Sequence, residues 1–175
     1  MAEVYAPDEN CRFAQYTLRY LHEWCDGIPK EDIDVVHWNN GLWDVLRLLG
    51  DEPLTDVETY GVMLKRVYQR IKYLFPKAKI IFALSTAVVE EWQKPDFFRY
   101  NKEIEQYNNA AKEIMCELGV QVNDLYSLSK SFDNSLHSDF VHFGTEGSIL
   151  LANKVISECL KVLDENDESN AKNFK

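Results

Sequence analysis

The chain has 175 residues, of which 46% are hydrophobic, and this length and composition fit one globular domain with a buried core. It contains 29 acidic and 19 basic residues, which gives a net charge of −10 at pH 7. A chain with this excess of acid has little positive charge to neutralise phosphate groups, so we expect neither a nucleic-acid partner nor an anionic membrane partner. No apolar run of about 18 residues is present, so the sequence predicts no transmembrane helix.

The four cysteines, Cys11, Cys25, Cys116 and Cys159, lie far apart and form no Cys-x-x-Cys pair. This pattern predicts reduced, partly buried thiols rather than a metal site or a disulfide framework, and we expect no cofactor. The first ten residues lack the basic segment and apolar stretch that make up an export signal. We therefore expect a cytoplasmic protein.

Short runs of β-branched residues alternate with longer runs of helical periodicity. The predicted elements are, in chain order, a strand at 3–6, a helix at 14–25, a strand at 32–38, a helix at 55–75, a strand at 79–85, a helix at 100–119, a strand at 120–125 and a helix at 145–163. Thr55 and Glu58 form a predicted capping box at the start of the longest helix. Gly119 and Thr145 are the predicted C′ residue of one helix and cap of the next.

Strands that alternate with helices predict an α/β domain, with a mostly parallel sheet between two layers of helices. The continuous apolar run in the strand at 79–85 is typical of a strand that helices cover on both faces. We assign residues 1–163 to this single domain. The acidic segment 164–175 is predicted to be a polar, disordered tail.

In a parallel sheet, binding sites lie at the carboxyl ends of the strands, and one of these ends leads into the loop at 126–144. Asp139 and His142 lie in this loop, three positions apart. A carboxylate at this spacing can reach Nδ1 of the imidazole, as the acid and base of a hydrolase triad do. A capping Asp and a surface His explain the same spacing equally well. His137 is the one other histidine of this loop that competes for the role of base.

The segment Asn39-Asn40-Gly41 follows the predicted strand at 32–38. Its amide and backbone N–H groups are candidate donors to an oxyanion, although Asn-Asn-Gly is also ordinary turn chemistry. Asn10 and Arg12, before the first helix, are candidate substrate-binding residues, and so is Trp43 at the rim of the predicted pocket.

The segments at 10–17, 33–44 and 139–142 occur in the order seen in SGNH (GDSL-type) hydrolases, and the chain resembles this family from about Val4 to Leu163. The resemblance implies a flavodoxin-like three-layer fold and a Ser-His-Asp mechanism on acyl or acetyl esters of small molecules or carbohydrates. It implies that His142 is the catalytic base and Asp139 the acid. It also implies that Asn40, or else Asn39, serves the oxyanion hole with Gly41 and the backbone N–H of Gln15.

The chain departs from the family pattern at the nucleophile, because it contains no Gly-Asp-Ser segment and no apolar strand before residue 3. Ser85, at a strand end, is the best of the remaining serines and still a poor substitute. Three interpretations follow: a shortened esterase that is inactive as it stands, a non-catalytic relative that binds a ligand in the same cleft, or metal-assisted phosphoester hydrolysis. The third is weakest, because the acidic residues are not clustered as a two-metal site requires.

The resemblance places the missing first strand in the centre of the sheet, between the strands at 3–6 and 32–38. Without it, the sheet either rearranges or leaves backbone groups open to another chain. We therefore expect sheet repair within the chain or a homo-oligomer formed by self-association, including strand exchange. The expected ligand is a small-molecule ester.

Overall fold

The computed structural model describes the backbone of residues 3–172 and the side chains of residues 3–164. Within this range the chain forms ten elements: α1 (Ala14–Trp24), β1 (Val35–Trp38), β2 (Arg47–Leu48), α2 (Val57–Leu74), β3 (Lys79–Ala83), β4 (Phe97–Phe98), α3 (Asn101–Glu117), β5 (Gln121–Asn123), α4 (Leu125–Lys130) and α5 (Thr145–Lys172). Short 3₁₀ turns lie at Lys30–Asp32, Glu90–Trp92 and Asn134–Leu136. None of the helices described is both long and apolar enough to cross a membrane.

The main sheet is parallel and has the strand order β1-β3-β5. Its register places Trp38 beside Phe82 and Phe82 beside Val122. Strands β2 and β4 form a separate, very short antiparallel pair, in which Arg47 lies opposite Phe98. Since the main strands are parallel, their carboxyl ends meet at one edge of the sheet, where the loops after them converge.

Helices cover both faces of this sheet. On one face, Trp38, Phe82 and Val122 pack into the main core with apolar residues of α1, α2 and α3. On the other face, α5 packs against β3 and β5, and Gln121 of β5 donates a 2.7 Å hydrogen bond to Glu158 of α5. The architecture is therefore a three-layer α/β/α sandwich around a parallel sheet, as predicted.

Helix α2 carries the predicted apolar stripe, but its cap differs from the prediction. Asp56 Oδ1 accepts a 2.9 Å hydrogen bond from the backbone N–H of Thr59, so Asp56 is the N-cap and the predicted capping box is wrong. The hydroxyl of Thr55 does not cap the helix and instead donates a 3.2 Å hydrogen bond to Gln15 Oε1 of α1. This contact ties the start of α2 to the first turn of α1.

Helix α3 ends as predicted, with Gly119 as its C′ residue. Gly119 has a φ of +65°, and its N–H donates to Cys116 O at 3.1 Å. The N–H of Val120 donates to Met115 O at 2.8 Å, which completes a Schellman motif. The motif reverses the chain so that β5 begins at once beside β3.

The predicted strand at 3–6 is wrong, because these residues have no regular structure and Val4 is 84% exposed. No described strand pairs with residues 3–6, so they take part in no ladder of hydrogen bonds. β1 is therefore an edge strand, and it pairs directly with β3. The missing strand is expected on the other side of β1, between 3–6 and 32–38, so the pairing with β3 does not test the expected sheet repair, which stays a prediction.

The last helix is longer than predicted. α5 begins at Thr145, so Gly144 rather than Thr145 precedes the first helical residue, and its backbone continues past Leu163 to Lys172. The predicted tail at 164–175 therefore starts as helix. Its last three positions, 173–175, lie outside the described residues.

Candidate active site

A cavity of about 630 Å³ lies at the carboxyl ends of the parallel strands. Its walls come from four segments that are distant in sequence, at 10–12, 39–43, 86–99 and 140–148. The position follows from the topology. The segments at 39–43 and 86–99 come after β1 and β3, and the segment at 140–148 comes after β5 and α4. The cavity therefore lies where the sequence placed the candidate site.

Asp139, directly before the fourth of these segments, forms a hydrogen-bonded pair with His142 within it. Asp139 Oδ2 lies 2.7 Å from His142 Nδ1, and Asp139 Oδ1 accepts 2.8 Å bonds from the backbone N–H groups of Val141 and His142. Partial burial raises the pKa of Asp139, but these hydrogen bonds outweigh it and lower the pKa to about 2. The carboxylate is thus ionised at neutral pH and can only accept a hydrogen bond, so Nδ1–H is the donor.

This pairing fixes the tautomer of the neutral His142 ring. Because Nδ1 carries the hydrogen that it donates to Asp139 in this bond, Nε2 holds the free lone pair. The ring lines the cavity, and its side chain is 72% exposed. His142 is therefore arranged to take a proton from a group in the cavity. His137 does not line the cavity, and its ring packs on Phe143 instead.

The two asparagines after β1 have different environments. Asn40 is buried away from the cavity, and its Nδ2 donates to Arg12 O at 3.1 Å and to Thr17 Oγ1 at 2.8 Å. Both amide hydrogens of Asn40 are thereby used inside the protein, which opposes its predicted role in the oxyanion hole. Asn39 lines the cavity and gives one amide hydrogen to Ala83 O, which leaves the second for a ligand.

Gly41 also lines the cavity and occupies a conformation that suits glycine. Its φ is +136°, and a Cβ at this position would lie 2.6 Å from Ser85 Oγ and 3.0 Å from the Tyr60 hydroxyl. Gly41 therefore supplies both an unusual turn and a close approach of the backbone to neighbouring side chains. Of the predicted oxyanion residues, Asn39 and Gly41 face the cavity.

Gln15, the fourth predicted oxyanion residue, does not line this cavity. The first turn of α1 directs its side chain towards α2, where it accepts from Thr55, and it lines a second cavity between these helices. Asn10 and Arg12 do lie at the candidate site. Asn10 Oδ1 accepts from the Arg12 backbone N–H at 2.7 Å and so stabilises the positive φ of +50° at Arg12.

No hydroxyl or thiol among the described side chains forms a hydrogen bond with His142. Ser85 is buried outside the cavity, and its backbone pairs with Asn108 on α3. Three residues that carry a thiol or a hydroxyl do line the cavity, and the sequence did not single them out as candidates: Cys11, Thr86 and Ser148. Burial raises the pKa of the Cys11 thiol, which opposes formation of a thiolate nucleophile.

Arg99 is a second feature that the sequence did not reveal. It lines the cavity although its residue is only 2% exposed, and its Nε donates to Leu42 O. Its guanidinium carbon lies 5.7, 5.1 and 5.9 Å from the ring centroids of Trp43, Phe97 and Phe140. These three rings come from three separate segments, so no local pattern in the sequence indicates the cluster.

The chain shares its layered α/β fold with solved structures of lipase/acylhydrolases and of the lipolytic G-D-S-L family. The chain is similar to the lipase/acylhydrolase from Enterococcus faecalis, with a TM-score of 0.64 and 21% identity over 83% of this chain and 69% of that one. It is also similar to a member of the lipolytic protein G-D-S-L family from Veillonella parvula, with a TM-score of 0.60 and 17% identity over 83% and 73% of the two chains.

A third similar structure is a carbohydrate esterase family 3 protein from Talaromyces cellulolyticus, with a TM-score of 0.65 and 16% identity over 87% of this chain and 69% of that one. No protein-family model and no curated protein matches the chain. At these identities the similarity establishes the fold alone.

Proposed function

We propose that the cavity is the site of an SGNH-type ester hydrolase that acts on acyl or acetyl esters of small molecules or carbohydrates. The observation that carries this proposal is the 2.7 Å contact between Asp139 and His142 at the cavity wall. An ionised carboxylate on Nδ1 stabilises the imidazolium that forms when Nε2 takes a proton, which is its role in ester hydrolysis. The structural neighbours include proteins described as esterases and acylhydrolases, which supports the same class of reaction.

In this mechanism a serine attacks the ester carbonyl, His142 takes its proton and later returns it to the leaving group, and Asp139 orients the ring. Asn39 and the loop at Gly41 stabilise the oxyanion. The chain contains no Gly-Asp-Ser segment, and no described hydroxyl contacts His142. We therefore expect the chain by itself to be nearly inactive, because loss of the nucleophile costs on the order of a million-fold in turnover.

The test is to read the DNA upstream of the Met1 codon and to express whatever in-frame sequence is found. An in-frame strand that ends in Gly-Asp-Ser supports the proposal, and the extended protein should then cleave a short-chain aryl acetate. His142→Ala should abolish that activity, whereas His22→Ala, at an exposed position on α1, should leave it unchanged. An extended protein that stays active without His142 contradicts the assigned mechanism.

A second candidate function is non-catalytic binding of a ligand in the same cavity. It is favoured by the absence of any described nucleophile within hydrogen-bonding distance of His142. An in-frame stop codon directly before Met1 would overturn the esterase proposal and support this one. The protein would then be screened for ligands by thermal stabilisation, since a ligand that binds only the folded state raises its melting temperature.

A further inference from the structure

Arg99 is a buried cation without a counter-ion. Among the side chains described, no carboxylate lies within salt-bridge distance of its guanidinium, and Asp139 raises its pKa only through a longer-range interaction. Burial lowers the pKa of Arg99 to about 10, so the side chain is still charged at neutral pH. Burial of an unpaired charge is unfavourable, and such a group ordinarily has a partner.

The protein satisfies only part of the hydrogen-bonding capacity of Arg99. A guanidinium has five N–H donors, and in the described contacts only the one on Nε finds an acceptor, the backbone oxygen of Leu42. Among the described residues, Nη1 and Nη2 find no acceptor, yet neither atom is fully enclosed. The unused donors therefore lie at the cavity, where a ligand can reach them.

The surroundings hold the guanidinium in place without neutralising it. The rings of Trp43, Phe97 and Phe140 contribute cation–π contacts, which stabilise the charge but accept none of the Nη hydrogen bonds. The residue is thus a rigid, planar pair of donors inside an aromatic wall. This geometry matches the two oxygens of a carboxylate, which a guanidinium binds through two parallel hydrogen bonds.

We propose that Arg99 binds a carboxylate of the molecule that occupies the cavity, so that the ligand is a small monoanion with an apolar portion against the three rings. The proposal rests on the proposed function only in that both use this cavity, and it narrows the substrate class to esters that also carry a carboxylate. A phosphate ester fits less well. A dianion needs more positive charge than Arg99 and the exposed Arg12 provide here.

The test uses the chain as it is, because binding requires neither a serine nor turnover. Benzoate, phenylacetate and hexanoate are titrated against the protein, each beside its neutral amide, with inorganic phosphate as a further probe. NMR signals of Arg99 Nε–H and Trp43 Nε1–H report the place of binding. We expect the carboxylates to bind at least tenfold more tightly than their amides and to shift both signals.

Arg99→Gln should weaken carboxylate binding at least tenfold and leave amide binding unchanged, and Arg99→Lys should give an intermediate loss because the charge remains without the planar fork. Arg66→Gln, at an exposed position on α2, is the matched control and should bind like wild type. If Arg99→Gln fails to fold, the wild-type protein still tests the proposal. Its affinities for acids and amides are compared, and the Arg99 Nε–H signal shows whether the acids bind there.

The proposal is overturned if no carboxylate binds better than its amide, if binding leaves the Arg99 signal unmoved, or if phosphate binds more tightly than the carboxylates. It is also overturned if Arg12→Gln, rather than Arg99→Gln, removes the preference for acids. Each of these outcomes is independent of whether an extended protein hydrolyses esters. Failure of the esterase proposal and failure of this one are therefore distinguishable.

Discussion

Oδ1 of Asp44 accepts a 3.0 Å hydrogen bond from the backbone N–H of Ala14, the first residue of α1. The carboxylate is fully buried, and burial raises the pKa of Asp44 to about 6 although the bond from Ala14 acts in the opposite direction. Ala14 lies two residues after the segment at 10–12 and Asp44 lies directly after the segment at 39–43, so this bond ties the two segments together. Two of the four cavity walls are thus held together by this buried acid, in addition to the bond from Asn40 to Arg12 O.

This acid predicts how stability depends on pH. The folded-state pKa of Asp44 lies above the unfolded value of about 3.9. At a pH between these two values, Asp44 is protonated in the folded protein and ionised in the unfolded chain. Its contribution to the free energy of unfolding therefore falls as the pH rises from about 4 to about 7. Asp44→Asn does not titrate, and the wild-type free energy should fall relative to that of the variant by on the order of 2 kcal/mol across this window.

Urea unfolding at several pH values measures this difference. Asp26→Asn, at an exposed position, is the control and should run parallel to wild type. Parallel curves for Asp44→Asn and wild type would show that the buried acid is not protonated in the folded state.

Gly41→Ala should destabilise the protein by about 3 kcal/mol, because the new methyl group meets Ser85 and Tyr60 and the residue keeps a positive φ. Gly27→Ala is the matched control, since Gly27 also has a positive φ, of +75°, but open space around it. It should cost only about 1 kcal/mol. Thermal or urea unfolding of the two variants measures both losses, and equal losses would contradict the crowding at Gly41.

Glu158 links α5 to the sheet. The residue is 6% exposed, and its carboxylate accepts bonds of 2.6 to 2.7 Å from Lys154, Lys161 and Gln121. The two lysines lower the pKa of Glu158 to about 2, so its stabilising contribution is present above about pH 4.5 and is lost as the pH falls towards 2.

Glu158→Ala should therefore lower the free energy of unfolding at pH 7 by on the order of 2 kcal/mol, because it removes three hydrogen bonds to a buried carboxylate. Glu146→Ala, at an exposed position in the same helix, is the control and should change it by less than about 0.5 kcal/mol. The difference between the two variants should shrink in acid. A loss for Glu158→Ala that does not depend on pH would mean that packing, and not charge, is responsible.

The open edge of β1 predicts self-association. β1 pairs with β3 on one side, and no described strand lies on its other side. We expect a dimer fraction that grows with protein concentration in light scattering after size-exclusion chromatography. Val35→Lys, on β1, should reduce that fraction, whereas Tyr73→Lys, at an exposed position on α2, should not. A monomer at every concentration would contradict the prediction.

Sequence reasoning succeeded for the longer elements because they carry strong local signals. The apolar stripe of α2, the glycine that ends α3 and the continuous apolar run of β3 each depend on neighbouring residues alone. The strand predicted at 3–6 failed because a strand also needs a partner, which a local pattern does not contain. The cap of α2 was misplaced by one residue, since Thr55 and Asp56 both suit a cap and a distant contact with Gln15 decides between them.

The candidate site was predicted where its residues are close in sequence. Asp139 and His142 are three positions apart, and the structure brings their side chains into contact. The amide of Asn40 was assigned to the cavity, but Trp38, Arg12 and Thr17 occupy its hydrogen-bonding groups. Such long-range partners are not visible in the order of residues.

Arg99 is the one buried cation among the described side chains of a chain whose net charge is −10. An anion that moves towards the cavity is thus repelled by the surface before it is attracted by the guanidinium. Dissolved ions screen charges on the protein surface over a distance of about 8 Å at physiological ionic strength. They screen the buried contact with Arg99 much less. Added salt should therefore speed the entry of an anionic ligand, the reverse of the usual effect on electrostatically steered binding.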